Sequence, residues 1–162
     1  MIYVALDAGL RPIEIQRANV HWVDTDNGVL RIPREESTKN RENWIVALKE
    51  ETTSILERWL EERETRQKYD GRDALWLTQR QNRYDKDSFR SVFRKIAEKA
   101  GLDLENRDLT PYSIRHSTAT YVAEEEGLAV AAAQCRHKSK RTTEKYEHSS
   151  VSRQSDAVNN VE

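Results

Sequence analysis

A tyrosine close to a cluster of basic residues is the feature of this sequence best suited to chemistry. Tyr146 lies nine residues after His137, and five basic residues and one acidic residue stand between Gln134 and Tyr146. A phenol can act as a nucleophile, and guanidinium or ammonium groups bind phosphates and carboxylates. The stretch is therefore either a basic loop exposed to solvent or part of a site for an anionic substrate.

Two arginines elsewhere in the chain stand near predicted helix starts. Arg11 precedes Pro12, a residue favoured at the first helical position, and Arg115 lies one turn into a helix that follows Thr110. Helix N-termini present free N–H groups and partial positive charge, so they bind phosphate readily. The alternative is that each arginine pairs with a nearby carboxylate, with Glu14 as the candidate for Arg11.

The spacing of histidines and cysteine does not support a metal site. His116, His137 and His148 match no known ligand pattern, and Cys135 is the single cysteine of the chain. We therefore expect neither a metal nor another cofactor. A single cysteine also excludes an internal disulfide and fits a reducing compartment.

Composition predicts one polar, helix-rich domain. The chain has 162 residues, of which 36% are hydrophobic and 34% charged, and its formal net charge is −1. We expect a cytoplasmic protein, because no apolar run approaches the ~20 residues that span a bilayer and the first residues lack a signal-peptide pattern. The net charge does not indicate a nucleic-acid partner, but residues 72–99 carry eight bases against four acids. A polyanion would meet local basic patches.

The elements that must position these side chains are predicted to be mainly helical. Apolar spacing and capping signals indicate helices over residues 2–8, 12–18, 52–67, 87–100, 111–126 and 129–135. Asp26-Asn27-Gly28 predicts a hairpin within residues 20–32, and residues 43–48 read as a third strand. The expected fold class is mainly α with a small three-stranded antiparallel β-sheet.

The predicted helix over residues 87–100 is amphipathic. Its outward face carries Arg90, Arg94 and Lys95, and the usual explanation of such cations is a solvated surface. The apolar spacing predicts five side chains that point inward, namely Phe89, Val92, Phe93, Ile96 and Ala100.

Five short motifs follow one another along the chain: GLRPIE, TKNRENWIVAL, YSIRHS, RHKS and TTEKY. Each motif alone is weak, but together, in this order and spacing, they resemble the catalytic domain of tyrosine recombinases, the phage-type integrase family. The resemblance runs from about Leu6 to His148. It implies a catalytic domain over residues 1–148 without the family's N-terminal core-binding domain, followed by a polar tail over residues 149–162.

The resemblance assigns roles to the residues of a catalytic site. Arg11 and Arg115 match the two arginines of the family, and Glu14 matches the acid that accompanies the first of them. His137 occupies the position usually held by histidine or tryptophan. Tyr146 corresponds to the nucleophile, at the usual distance of nine residues from that position.

The remaining site positions include two departures from the family pattern. Lys39 matches the lysine of the family's β-hairpin. Tyr112 stands three residues before Arg115, where histidine is commonest and tyrosine also occurs. Cys135-Arg136 replaces the usual Leu-Gly before the histidine, which leaves the backbone geometry of that turn open.

The resemblance implies a site-specific DNA recombinase or integrase. In that family the tyrosine attacks a phosphate of double-stranded DNA without metal or ATP, and a 3′-phosphotyrosine and a free 5′-hydroxyl result. The full-length protein would act as a homotetramer at the nucleoid, whereas the isolated domain could be a monomer. Six basic residues are expected to contact DNA: Arg90, Arg94, Lys95, Lys138, Lys140 and Arg141.

Three other interpretations stay open on the sequence. The chain could be a catalytically impaired DNA-binding relative, or a stand-alone topoisomerase that shares the first chemical step. It could also be a non-enzymatic helical interaction module whose arginines form surface ion pairs. A covalent protein–DNA adduct and DNA affinity at low salt are the observations that separate these classes.

Overall fold

The computed structural model describes residues 1–37, 42–106, 108–137 and 142. These residues form six α-helices and one antiparallel sheet of three strands, which confirms the predicted fold class. None of the helices in this part of the chain has the length and apolar character needed to cross a bilayer. The elements are α1 (Ile2–Asp7), α2 (Pro12–Arg17), β1 (Val23–Asp24), β2 (Val29–Ile32), β3 (Trp44–Ala47), α3 (Glu50–Glu64), α4 (Lys86–Lys99), α5 (Pro111–Glu126) and α6 (Leu128–Gln134).

The small sheet has the strand order β1-β2-β3, with Val23 opposite Leu30 in the first pair. The predicted hairpin turn is present: Asp24 Oδ1 accepts a hydrogen bond from the backbone N–H of Asn27 at 3.1 Å, and Gly28 has a φ of 62°. The sequence pattern predicts strand from residue 20 onward. Instead, Val20–Trp22 is a 3-10 turn that lies outside the sheet. The backbone N–H of Val20 donates to the Asp73 carbonyl at 2.8 Å and not to a neighbouring strand.

Helix α5 carries the capping signals that the sequence predicted. The backbone N–H of Thr110 donates to Ser113 Oγ at 3.0 Å, Pro111 takes the first helical position, and Gly127 ends the helix with a φ of 88°. The helix packs against α1, α4 and α6. Its inner face is buried, so a side chain on that face reaches the segment between α1 and α2.

Helix α4 buries a narrower stripe than the sequence predicted. Phe89, Phe93 and Ala97 are buried at spacings of four residues, whereas Ile96 is 41% exposed and Ala100 is exposed. The predicted inward positions of Ile96 and Ala100 are therefore wrong. The contact stripe follows one row of the helix, Ile96 lies beside that row, and Ala100 lies beyond the last turn.

The difference between the two apolar positions of α4 can be measured. We expect Phe89→Ala to lower the free energy of unfolding by about 3–5 kcal/mol, because it empties a site in the core. Ile96→Ala, its matched control on the same helix, should cost less than about 1 kcal/mol. Urea denaturation of both variants tests this expectation, and equal losses would contradict the difference in burial between the two side chains.

Candidate active site

The segment between α1 and α2 forms the floor of the candidate site. Gly9 has a φ of 53°, a conformation that residues with a side chain rarely adopt. A Cβ atom placed on Gly9 would lie 3.0 Å from Cys135 Sγ, so the absence of a side chain lets the segment approach the end of α6 closely. The carbonyl groups of Ala8 and Gly9 then face arginines from other parts of the chain.

Glu14 is a fully buried carboxylate held by two guanidinium groups. Its Oε1 accepts a hydrogen bond from Arg11 Nη1 at 2.8 Å, and its Oε2 accepts from the backbone N–H of Arg11 at 2.7 Å. Oε2 also accepts from Arg136 Nη2 at 2.6 Å. Burial alone would raise the pKa of Glu14, but Arg136 and Arg11 outweigh it and hold that pKa below its ordinary value. Glu14 is therefore ionised at neutral pH.

Arg115 projects from the inner face of α5 toward the same segment and is only 2% exposed. Its Nη1 donates to the Gly9 carbonyl at 2.5 Å, and its Nη2 donates to the Cys135 carbonyl. Burial, followed by the charges of Arg11 and Arg136, lowers the pKa of Arg115 to about 10. The guanidinium therefore stays protonated at neutral pH, and the pKa shift shows that the arginines lie close enough to repel one another.

The turn after α6 keeps a left-handed geometry although it lacks glycine. The backbone N–H of Arg136 donates to Ala133 O at 3.0 Å, and that of His137 donates to Ala132 O at 2.8 Å. With a φ of 55° at Arg136, this is the hydrogen-bond pattern of a Schellman motif. A residue with a side chain costs roughly 1–2 kcal/mol in this conformation. The question that Cys135-Arg136 left open is thus answered: the turn retains the conformation that glycine favours.

His137 follows this turn and is partly buried beside the cations. Its pKa falls to about 4, first because burial disfavours the charged imidazolium and then because Arg115, Arg11, Arg136 and His116 repel it. The imidazole is therefore neutral at neutral pH. It can offer a hydrogen bond to an anion without adding a positive charge.

Tyr112 lies in the first turn of α5 and is 44% exposed. Its ring packs against His116, with 5.1 Å between the ring centroids. Tyr112 stands three residues before Arg115, a spacing that makes the two residues neighbours on a helix. In the structure Arg115 points inward and is buried, whereas Tyr112 remains at the surface, so the catalytic role of Tyr112 stays a prediction.

Several predicted site residues fall outside the described part of the chain. They are Lys39, Lys138, Lys140, Arg141 and Tyr146. Arg90, Arg94 and Lys95 are described and are exposed on α4. Within the described ranges, no group of three or more His, Cys, Asp or Glu side chains could hold a metal ion.

The turn after β2, which precedes Lys39, is held by the carboxylate of Glu36. The sequence analysis did not identify this residue. Glu36 Oε2 accepts hydrogen bonds from Trp22 Nε1 at 2.8 Å and from Asn19 Nδ2 at 2.6 Å. The Asn43 side chain accepts from the backbone N–H of Arg34 at 2.8 Å. Both sides of residues 38–41 are therefore held by side-chain hydrogen bonds.

Sequence reasoning also missed Arg136 as part of the charge cluster. The residue was visible as a departure from the family pattern, but nothing in the sequence pairs it with Glu14. The two residues are 122 positions apart and meet only through the packing of α6 on the α1–α2 segment.

Two arginines from distant segments and a neutral histidine lie around one backbone loop, and together they offer positive charge and a hydrogen bond to an anionic group. The sequence model of the phage integrase family matches residues 1–153, and the chain belongs to this family. The resemblance inferred from the motifs is confirmed.

Similarity to individual proteins agrees with this family. The chain is 28% identical to the tyrosine recombinase XerA of Thermococcus kodakarensis over 137 residues, which cover 83% of this chain and 44% of that protein. A crystal structure of XerA recombinase superposes with a TM-score of 0.79 and 25% identity, covering 97% of this chain and 55% of that one. A XerH site-specific recombinase bound to palindromic difH substrate in a post-cleavage complex gives a TM-score of 0.74 at 24% identity, covering 98% and 44%. The chain thus spans roughly half the length of these relatives.

The electrostatics of the site can be tested through His137. We expect its imidazole to titrate with a pKa of about 4, because burial and the surrounding cations disfavour its protonated form. Two-dimensional NMR of the histidine ring signals, assigned with a His137→Asn variant, measures this pKa. Inorganic phosphate should raise it, since a bound anion offsets the cations. Titration near the ordinary range of histidine without phosphate would contradict the arrangement.

Proposed function

We propose that this chain is the catalytic domain of a tyrosine-type site-specific DNA recombinase, which cuts and rejoins DNA strands through a 3′-phosphotyrosyl intermediate. The observation that carries the proposal is the convergence of Arg11 and Arg115 beside neutral His137. The naming of XerA as a tyrosine recombinase and the binding of XerH to its difH substrate support this reaction and double-stranded DNA as the partner.

In the proposed reaction the phenolic oxygen of Tyr146 attacks the scissile phosphorus. A bond forms between that oxygen and phosphorus, and the bond from phosphorus to the 5′-oxygen breaks. The phenolic proton is lost to solvent, and the departing 5′-oxygen takes a proton from the ammonium group of Lys39. Rejoining reverses these steps with the 5′-hydroxyl of another strand, so the phosphodiester energy is conserved in the protein–DNA bond.

The cation cluster would stabilise the transition state of this reaction. Attack places additional negative charge on the non-bridging oxygens, and guanidinium groups bind such oxygens through paired hydrogen bonds. Arg11 and Arg115 supply the positive charge, while His137 and the phenol of Tyr112 supply hydrogen bonds. The relevant charges are in place before the substrate arrives, which is the condition for strong electrostatic catalysis.

The proposal extends to domain and assembly. Residues 1–148 form the catalytic domain and residues 149–162 a polar tail. The full-length protein acts as a homotetramer on DNA, and its place of action is the cytoplasm, at the nucleoid.

A suicide substrate tests the chemistry. We expect the protein to form a covalent adduct with a nicked duplex that survives denaturant, and Tyr146→Phe to abolish it. Tyr121→Phe is the matched control, because Tyr121 is 66% exposed on α5 and has no proposed role. Arg115→Lys should slow adduct formation by about 10²–10³-fold, since an ammonium cannot reproduce the paired hydrogen bonds. Denaturing gel electrophoresis of labelled DNA gives the rates.

The adduct assay, combined with measurements of DNA affinity and of plasmid relaxation, separates the competing interpretations. DNA binding without an adduct would indicate a catalytically impaired relative, and relaxation of supercoiled DNA without strand exchange would indicate a topoisomerase. Absence of DNA affinity even at low salt would indicate an interaction module and would overturn the proposal.

The exposed cations of α4 provide a test of the DNA-binding surface. Reversal of charge at Arg90, Arg94 and Lys95 should weaken DNA binding and flatten the dependence of log K on log salt, by about 0.9 for each phosphate that the protein no longer neutralises. Fluorescence anisotropy at several salt concentrations measures both effects. An unchanged slope would remove α4 from the DNA interface.

A further inference from the structure

Arg136 is a buried guanidinium that the proposed reaction does not use. Its side chain and that of Glu14 are both 0% exposed, whereas the side chain of Arg11 is 12% exposed. Arg136 and the carboxylate therefore lie in the interior, and Arg11 is the member of these three groups that reaches solvent. A substrate phosphate would approach from the side of Arg11.

Three hydrogen bonds of Arg136 lead to the site, and a fourth joins its Nη1 to the Gln134 carbonyl at 3.3 Å. Nη1 donates to the Ala8 carbonyl at 2.8 Å, and Nη2 donates to Glu14 Oε2 at 2.6 Å and to the Gly9 carbonyl at 3.3 Å. The planar fork of a guanidinium can reach two carbonyls and a carboxylate together, which the ammonium of lysine cannot do with the same geometry. Arg136 thus ties the turn before His137 to the segment that ends at Arg11.

The charge balance of the cluster depends on Arg136. Without it, the negative charge of Glu14 would offset more of the positive charge of Arg11, and less of that charge would remain for a substrate. With Arg136 present, its buried positive charge offsets the negative charge of Glu14. The cluster then keeps a net positive charge from Arg11 and Arg115, and Arg11 carries that charge closer to solvent.

We propose that Arg136 is a positioning residue that neutralises Glu14 and thereby keeps the charge of Arg11 available to the substrate phosphate. This inference rests on the proposed function, because it assigns Arg136 a place in the same anion site. Burial of Arg136 carries a cost: its Nε has no hydrogen-bond acceptor within the described part of the chain, and its backbone is left-handed. An apolar side chain of similar size would avoid the unpaired Nε, and glycine would avoid the backbone cost.

Four proteins compared at saturating nicked DNA test the proposal: wild type, Arg136→Met, Glu14→Gln, and the double variant. Arg136→Met keeps most of the side-chain volume and removes the charge, and we expect it to slow adduct formation by about 10- to 100-fold. The double variant removes one positive and one negative charge together, so it restores the wild-type charge balance. We expect its rate of adduct formation to exceed that of Arg136→Met by at least about tenfold.

Recovery in the double variant would show that the charge of Glu14, and not the lost contacts of Arg136, slows Arg136→Met, and the pKa of His137 then separates an electrostatic effect from a structural one, because two residues in contact do not have additive effects. Arg58→Met is the control for net charge, since Arg58 is exposed on α3; its rate should equal that of wild type. The proposal is overturned if Arg136→Met cleaves at the wild-type rate, or if the folded double variant is as slow as Arg136→Met.

Thermal denaturation establishes which variants fold. If Arg136→Met does not fold, the double variant is compared with wild type directly, because removing both charges avoids an unpaired buried ion. An adduct rate within about tenfold of wild type then supports the proposal, and a larger loss overturns it.

His137 distinguishes failure of this inference from failure of the proposed function. If wild type forms no adduct, the recombinase proposal fails, but the NMR titration still reports on Arg136. We expect the pKa of His137 to rise from about 4 toward its ordinary range in Arg136→Met, since one of the repelling cations is gone. An unchanged titration would show that Arg136 has no electrostatic effect on the site.

Discussion

The buried carboxylate of Glu14 is the interaction on which the arrangement of the site depends. An ionised carboxylate without partners would be very costly in the interior, but this one accepts hydrogen bonds from two guanidiniums and a backbone N–H. Loss of one partner of a buried pair typically costs about 3–5 kcal/mol, because the remaining charge is left uncompensated. The start of α2 and the turn after α6 are thus held by the same group that sets the local charge.

The cluster is electrostatically unfavourable until an anion arrives. Burial, followed by the charges of Arg11 and Arg136, lowers the pKa of Arg115 to about 10, and burial with the charges of these arginines lowers that of His137 to about 4. Both pKa shifts reflect burial and repulsion between cations, which are unfavourable and must be offset by packing in the rest of the domain. A bound phosphate would relieve the repulsion, so the free energy already spent on bringing the cations together contributes to binding and to transition-state stabilisation.

The sequence predicted those features that local chemistry determines. The caps of α5 and the Asn-Gly turn depend on a few neighbouring residues, and both are present. Positions that depend on long-range packing were less predictable: the run at Val20–Trp22 left the sheet through a bond to Asp73, and Ile96 remained exposed beside a narrow contact stripe. Arg11 and Arg115 were found through motif resemblance, whereas the pairing of Arg136 with Glu14 has no local signal. The roles of Lys39 and Tyr146 stay predictions.

The carbonyl oxygen of Gly9 has a consequence for motion within the domain. One atom accepts hydrogen bonds from Arg115 on α5 and from Arg136 after α6, so the three segments share a single anchor. A displacement of this loop would shift both guanidiniums in concert, and neither could reorient alone without breaking its bond to the shared oxygen. The positions of these two guanidiniums are therefore coupled through the loop at Gly9.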